Sequence, residues 1–267
     1  DGSINRPDAI SSHYNASKCF DYFKNVHGRN GIDGNGGTIM SVINVSDNNG
    51  NSMDNAFWNG QLMAYGNGAT VFKPLAGSLD VGGHEMTHGV VQKTANLVYQ
   101  SQSGALNESF ADIFGCMIDN DDWKLGEDIV QPGKFPKNAL RDLSDPHNGA
   151  TSLGQSGFQP RTMREYYTGT QDNQGVHINS GIPNWAYYKF ATAVTSTVAE
   201  KIYYRALSLY LTSTSTFLDC RFAVIKAATD LHGSSSSIVS AAKKAFDDVE
   251  IFDPNPSNGG GSGGGST

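Results

Sequence analysis

The segment DVGGHEMTHGVV, residues 80–91, constrains this chain more than any other stretch. If the segment is helical, His84 and His88 leave the same face about one turn apart. Two neutral imidazoles at that spacing can bind one metal ion, and zinc accepts nitrogen ligands readily. Glu85 directly follows the first histidine, where a general base for a metal-activated water would stand. The pattern predicts a helix that carries part of a zinc site, and a helix with two exposed histidines is the alternative.

A second predicted helix, GALNESFADIFG at residues 104–115, offers the third ligand. Its apolar residues recur at helical spacing, and Glu108 and Asp112 share one face. Buried carboxylates are costly unless they are paired with a charge or a metal. We expect Glu108 to be the third zinc ligand and Asp112 to accept a hydrogen bond from a liganding histidine. A solvated acidic face is the alternative.

Composition limits the class of protein. The chain has 267 residues, enough for one large domain or two lobes around a shared core. The formal charge of −7 argues against nucleic acid as a partner and suits a protein that holds cations. No apolar run approaches the length of a membrane span. Cys19, Cys116 and Cys220 form no metal or redox spacing, and an odd number leaves at least one unpaired.

Local patterns predict the elements around these helices. Apolar spacing indicates helices at residues 11–26, 185–194, 198–212, 217–232 and 237–246. β-branched residues indicate a strand at residues 38–45, and a short hairpin is expected at residues 56–58 and 63–65 around Asn59-Gly60. Residues 131–168, rich in proline and small polar residues, are expected to be mostly irregular.

Several motifs in this order resemble the thermolysin-like (M4) family of zinc endopeptidases. They are NAFWNG at residues 55–60, DVGGHEMTHGV at 80–90, YQSQSGALNE at 99–108 and DNQGVHINSGIPNWAYY at 172–188. The resemblance runs from about residue 8 to residue 252. It implies an α+β fold, with a small, mixed or β-rich N-terminal lobe and a mainly helical C-terminal lobe. The HExxH helix joins the lobes, and the active-site cleft lies between them.

The resemblance also sets the expected boundaries. Residues 1–95 form the N-terminal lobe and end in the zinc-binding helix, and residues 96–252 form the helical lobe. Family members usually carry a longer strand-rich region before the first helix, so this lobe should be small. Residues 253–267 are a flexible Gly/Ser tail, excluded from function as an added linker.

The family pattern implies peptide-bond hydrolysis by a zinc-activated water. Zinc lowers the pKa of the water, and a general base takes its proton as it attacks the scissile carbonyl. Donors are also needed for the oxyanion that forms. The implied roles are zinc ligation by His84, His88 and Glu108, general base catalysis by Glu85, and donation by His177 and Tyr99. Asp172 would orient His177 and favour its charged form.

The resemblance also implies a substrate-binding set. Asn55 and the backbone of Ala56 would hold an extended peptide against a strand edge. Arg141 would bind the carbonyl beyond the scissile bond. A pocket for the residue just after the cut is implied at Phe72, Leu75, Val81, Leu125, Ile129 and Leu140. Such a pocket would favour a bulky hydrophobic residue, and ordinary core packing is the alternative for these six.

An acidic segment, residues 119–128, carries five carboxylates. A hard cation that takes six to eight oxygen ligands would relieve their repulsion. The resemblance implies a structural calcium site at Asp80, Asp119, Asp122 and Glu127. Lys124 replaces a glutamate that serves a second calcium in some relatives, so one ion is expected. A solvated acidic turn is the alternative.

The predicted function is therefore a zinc-dependent endopeptidase that cuts before bulky hydrophobic residues of protein and peptide substrates. Family members are usually exported with a propeptide, so a secreted protein in mature or recombinant form is expected, and a monomer. A catalytically silent zinc-containing peptide-binding module is one alternative. It would need a fourth protein ligand, which no motif offers. A zinc aminopeptidase is the other, and it would need an acidic anchor for the substrate amine.

Overall fold

A computed structural model describes residues 6–150, 155 and 157–255 of the chain. Most of the tail predicted at residues 253–267 lies outside the described residues. The helices are α1 (Pro7–His27), α2 (Leu79–Gln92), α3 (Ser101–Asp119), α4 (Gln171–Asn179), α5 (Gly181–Val194), α6 (Ser196–Leu209), α7 (Phe217–His232) and α8 (Ser237–Asp248). The strands are β1 (Ser41–Val45), β2 (Ala56–Trp58), β3 (Met63–Gly66), β4 (Lys124–Leu125) and β5 (Arg141–Asp142). The expected α+β class is confirmed, with a small sheet in the part before α2 and mainly helices after it.

Local signals explain where several elements begin and end. α1 starts at Pro7, because proline suits the first turn of a helix, and ends before Gly28, whose φ of 69° places it in the left-handed region. A capping box between Thr216 and Asp219 starts α7 at Phe217, where the sequence predicts it. The hairpin of β2 and β3 is confirmed. Its turn is held by the Asn59 side chain, which accepts hydrogen bonds from two backbone N–H groups.

The N-terminal sheet presents one strand edge to the rest of the molecule. Its strand order is β1-β3-β2, with β1 parallel and β2 antiparallel to β3. β2 is therefore an edge strand, and its residues line a cleft that also contains the histidines of α2. An unpaired strand edge offers N–H and C=O groups to an added chain.

Two glycines allow α2 and α3 to pack with their backbones almost in contact. A Cβ atom at Gly83 would lie 2.9 Å from the Ile118 side chain and 3.1 Å from the Gly115 Cα. A Cβ atom at Gly115 would lie 2.7 Å from the carbonyl oxygen of Asp80. Side chains on the facing surfaces of these helices therefore meet at short range.

The hydrophobic core surrounds α3, which is buried on all sides from Gly104 to Met117. Burial all round is typical of a central helix, and it explains why polar side chains on α3 need partners of their own. Cys19, Cys116 and Cys220 are buried free thiols. Among the described helices, none combines the length and the apolar character that crossing a bilayer requires.

Candidate zinc and catalytic site

Three predicted ligands meet where α2 faces α3. The Nε2 atoms of His84 and His88 lie 2.9 Å apart. Each lies 3.5 Å from an oxygen of Glu108. Zinc bonds of about 2.0–2.1 Å in a tetrahedron would separate neighbouring ligand atoms by roughly 3.3 Å. The observed separations bracket that value, so the three side chains fit a zinc ion.

The tautomers of the two histidines give a second reason to expect a cation here. His84 Nδ1 lies 2.9 Å from Asp112 Oδ1, an acceptor, so this nitrogen carries the proton. His88 Nδ1 lies 2.8 Å from Asn107 Oδ1, whose amide nitrogen donates to the carbonyl of Leu97. In the neutral rings both Nε2 atoms therefore present lone pairs to each other. Glu108 Oε2 is buried and has no hydrogen-bond partner among the described residues. A metal ion would satisfy all three atoms.

A buried network holds His84, the first of the two histidines on α2. Asp112 is fully buried and accepts hydrogen bonds from Arg141 Nε at 2.9 Å and from Asn184 Nδ2 at 2.9 Å, besides its contact with His84. Arg141 Nη2 adds an ion pair at 2.8 Å. Burial raises the pKa of the Asp112 carboxyl, but the charge of Arg141 and the bond from His84 outweigh it and hold the pKa low. Asp112 therefore stays an anion that orients the His84 ring.

Glu85 lies on the floor of the cleft beside His84. The residue is only 5% exposed, yet its carboxylate has no hydrogen-bond or ion-pair partner among the described residues. A carboxylate oxygen with free lone pairs can take a proton from a water molecule next to it. This geometry is compatible with the predicted role of general base.

Tyr99 and His177 both contact Glu108, on its Oε1 atom. The Tyr99 hydroxyl donates to Glu108 Oε1 and lies 3.1 Å from His177 Nε2. His177 Nδ1 lies 2.6 Å from Asp172 Oδ1. Burial lowers the pKa of His177, but the nearby Glu108 and Asp172 carboxylates outweigh it and raise the pKa. A protonated imidazole at this position could donate to an oxyanion near the Glu108 carboxylate.

A left-handed turn presents Asp172 to His177. The four residues from Asp172 to Gly175 have φ between 48° and 82° and ψ between 37° and 47°. Such a run is costly for residues with a Cβ, although Asp and Asn tolerate it best. The turn lets one carboxylate accept from the backbone N–H of His177 at 2.7 Å and also contact its ring. The strain is localised where the structure orients the His177 imidazole.

The cleft around these groups has a volume of about 510 Å³. Its walls include Asn55 and Ala56 on the β2 side and Arg141 on the other. All six residues predicted for the hydrophobic pocket line it, namely Phe72, Leu75, Val81, Leu125, Ile129 and Leu140. A second hollow of about 560 Å³ shares Asn55, Phe72, Arg141 and His177 and extends to Asp172. The predicted substrate-binding residues are therefore brought together from distant parts of the chain.

The acidic segment forms a separate cluster. Carboxylate oxygens of Asp119, Asp121 and Glu127 lie within 4.8 Å of one another. Burial and neighbouring carboxylates raise the pKa of Asp119 to about 7 and that of Glu127 to about 8. Glu127 Oε2 is buried and has no hydrogen-bond partner in the described part of the chain. This chemistry fits a hard cation.

The other predicted calcium ligands have different surroundings. Asp80 is buried, and its carboxylate accepts from Ser78, from the Val81 N–H and from the Gly126 N–H. Asp122 forms an ion pair with Lys124. Both lie outside the group of three, so their roles as ligands remain predictions.

Four residues in or next to these sites were not predicted from the sequence. Asp121 belongs to the acidic group, and its place in the acidic run was the available signal. Asn107 and Asn184 fix the histidine and carboxylate orientations. Asp54 binds a run of backbone amides next to the cleft. The last three act through partners 15 or more positions away, which no local motif reveals.

Comparisons with known proteins agree with this geometry. A family model described as "Thermolysin metallopeptidase, catalytic domain" matches residues 2–92, and "Thermolysin metallopeptidase, alpha-helical domain" matches residues 95–251. The chain is 48% identical over 254 residues to a bacillolysin from Brevibacillus brevis, covering 91% of this chain and 46% of that protein. It is 44% identical over 260 residues to a thermolysin from Alicyclobacillus acidocaldarius, covering 91% of this chain and 45% of that protein.

A solved structure gives the same result for the fold. The precursor of protealysin, a metalloproteinase from Serratia proteamaculans, superposes with a TM-score of 0.84 at 29% identity, covering 94% of this chain and 80% of that chain. The chain spans about half the length of the curated relatives that it matches.

Proposed function

The chain belongs to the thermolysin family of metallopeptidases, and from that premise we propose that it is a zinc-dependent endopeptidase. Its substrates would be proteins and peptides, cut on the amino-terminal side of bulky hydrophobic residues. One observation carries the proposal: two imidazole lone pairs and a buried oxygen of Glu108 converge in the cleft that Glu85 also lines. Within the described part of the chain, neither that oxygen nor the Glu85 carboxylate has a hydrogen-bond partner. This arrangement supports hydrolysis, since a structural metal would have no use for a base beside it.

The metal would be held by His84, His88 and Glu108. Bound zinc would supply a Lewis acid that lowers the pKa of water and polarises a carbonyl group. Among the described residues, the group of candidate ligands has three members, which would leave a fourth position for water or substrate. An open position favours the enzyme over a silent module with a closed zinc site.

Different residues of this chain would then transfer the proton and stabilise the developing negative charge. Glu85 would take the proton of the attacking water and can later deliver it to the leaving amine. His177 and Tyr99 would donate hydrogen bonds to the oxyanion. Asp172 would hold the His177 ring in place, because its carboxylate bonds both the ring and the backbone of that residue.

Substrate selection would depend on the two walls of the cleft. A peptide could add to the free edge of β2 through backbone hydrogen bonds, with Asn55 at its start. The residue after the cut would enter the apolar pocket. Burial of a leucine or phenylalanine side chain there would contribute about 1.5–3 kcal/mol. Arg141, fixed by Asp112, lies at the rim of that pocket and could bind a substrate carbonyl.

We also propose one structural calcium ion in the acidic cluster, secretion of the protein and a monomeric state. The cluster of Asp119, Asp121 and Glu127 supports the calcium site. Lys124, paired with Asp122, brings a positive charge to its edge and would disfavour a second divalent ion there.

The test is hydrolysis of casein by the zinc-loaded protein, with and without a zinc chelator. We expect digestion that the chelator abolishes and added zinc restores. Glu85→Gln should bind zinc and unfold at the same temperature, yet lose nearly all hydrolysis, because an amide cannot accept the proton of water. A purified Glu85→Gln variant that digests casein at an appreciable rate would remove Glu85 from the mechanism. Digestion unaffected by the chelator would refute the zinc enzyme.

A further inference from the structure

One carboxylate beside the cleft receives four consecutive backbone N–H groups. Asp54 Oδ1 accepts from Ala69 at 2.6 Å and from Phe72 at 3.0 Å. Asp54 Oδ2 accepts from Thr70 at 2.7 Å and from Val71 at 3.1 Å. The Thr70 hydroxyl also donates to Oδ2, at 3.0 Å. Successive N–H groups directed at one point form an anion-binding concavity, which here is filled by a side chain of the same protein.

The two segments joined in this way both contribute residues to the lining of the cleft. Asp54 immediately precedes Asn55, and Phe72 ends the bound loop. Asn55 and Phe72 both line the cleft and the hollow next to it. The carbonyl of Asn55 accepts a further bond from Gly66 at 2.9 Å. Asp54 is thus a direct side-chain link between the peptide-binding strand edge and the hydrophobic pocket.

The loop at residues 69–72 extends this link to the far side of the pocket. Phe72 forms a β-bridge with Val130. The Lys73 N–H donates to the carbonyl of Ile129 at 2.8 Å, and the Gln131 N–H donates to that of Val71 at 2.9 Å. Ile129 is itself a pocket residue. A shift of the loop would therefore move Phe72 and Ile129 relative to Asn55.

We propose that Asp54 is a positioning residue that sets the spacing between the peptide-binding edge of β2 and the pocket for the residue after the cut. The inference rests on the proposed function and deepens it, because it assigns a determinant of substrate selectivity outside the catalytic group. Asp54 does not need to touch the substrate. It acts through Asn55 on one side and Phe72 on the other.

An ionised carboxylate is required for this role. Partial burial raises the pKa of Asp54, but hydrogen bonds from the backbone N–H groups of residues 69–72 outweigh it and hold the pKa below its usual range. An asparagine in the same place would have a single acceptor oxygen, and its amide group would turn hydrogen atoms towards N–H donors. Two of the four backbone donors would then lose their partner.

The experiment compares Asp54→Asn with Asp47→Asn as a matched control. Asp47 also accepts backbone N–H groups, from Asn49 and Asn51, but it lies outside the residues that line the cleft. Both substitutions are made in zinc-loaded Glu85→Gln protein, so that peptide binding is measured without turnover. The probes are two blocked peptides that differ only in leucine or alanine after the scissile bond. Calorimetry gives the Kd of each.

We expect Asp54→Asn to raise the Kd of the leucine peptide about tenfold, the size of effect that loss of charge-assisted hydrogen bonds can produce. The Kd of the alanine peptide should rise less than threefold, because alanine uses little of the pocket. Asp47→Asn should change neither Kd by more than about twofold, and zinc content should be equal in all proteins. With Glu85 intact, the same substitution should raise KM for the leucine peptide and leave kcat within about threefold.

Equal weakening of both peptides, or equal effects of the two substitutions, would overturn the proposal and make Asp54 merely structural. If Asp54→Asn does not fold, Asp54→Glu keeps the charge and displaces it by one carbon, and the same loss of leucine preference is expected. Absence of hydrolysis in protein with Glu85 intact would instead refute the proposed function, while the Kd comparison would still decide the role of Asp54.

Discussion

Replacement of Asp112 by asparagine should destabilise the protein and weaken its zinc site together. Asp112 is fully buried, accepts hydrogen bonds from Arg141 and Asn184, and lies 2.9 Å from His84 Nδ1. Arg141 is only 8% exposed, so neutralising Asp112 leaves a buried guanidinium without its ion-pair partner. Breaking a buried pair in this way costs about 3–5 kcal/mol. For a chain of this size, each kcal/mol lowers Tm by roughly 2–4 °C, so we expect a fall of about 6–20 °C.

The zinc site should respond because Asp112 fixes the ring of His84. Loss of such a carboxylate partner typically reduces metal affinity about 10–100-fold. The zinc Kd would be measured by competition with a chromophoric chelator, and the free energy of unfolding by urea titration of the zinc-free protein. Asp145→Asn is the matched control, because the Asp145–Arg161 pair has side chains that are 32% and 34% exposed. Such a surface pair contributes less than about 1 kcal/mol.

The loss of stability caused by Asp112→Asn should also depend on pH in a defined direction. The pKa of Asp112 in the folded protein lies below its ordinary value of 3.8. Its contribution to stability is therefore complete above that value and is lost as the pH falls through the lower, folded pKa. The difference between the parent protein and Asp112→Asn should be constant near neutral pH and shrink below about pH 4. If Asp112→Asn and Asp145→Asn unfold within about 1 kcal/mol of each other at pH 7, the buried pair does not have the role assigned to it.

Three further perturbations test other parts of the site. His177→Ala should lower kcat about 10²–10³-fold with zinc content unchanged, and loss of zinc from the variant, by metal analysis, would make this residue a ligand instead. Gly115→Ala should separate α2 from α3, lower the free energy of unfolding by about 1–3 kcal/mol and weaken zinc binding. Gly77→Ala is the control, because its Cβ would meet only Ile129, at 3.5 Å, and it should change the free energy of unfolding by less than that. Equal stabilities of the two variants in urea would contradict the backbone contact. Calcium at 100 times its Kd should raise Tm by about 5–11 °C through linkage, with one ion bound per chain by calorimetry, and a Tm indifferent to calcium would exclude the site at the acidic cluster.

The placement of the polar side chains on α2 followed from the sequence alone. A helix places residues four apart on one face whatever surrounds it, so His84 and His88 had to point in a common direction, with Glu85 beside them. The periodic apolar residues of the C-terminal helices and the hairpin around Asn59 were likewise local signals, and the structure contains these elements. Longer motifs identified the family, since several of them occur in the expected order.

Only the tertiary structure decided the distances between these local pieces. Glu108 reaches the two histidines because Gly83 and Gly115 let α2 and α3 pack at backbone distance, a contact that no spacing in the sequence specifies. His177 arrives from a different helix, and a left-handed turn, costly in an isolated peptide, sets its orientation. The hydrogen bonds from the amides of residues 69–72 to Asp54 could not be predicted from the sequence either. Covalent geometry determines which side chains share a face of one helix, whereas the packing of the whole core determines which faces meet.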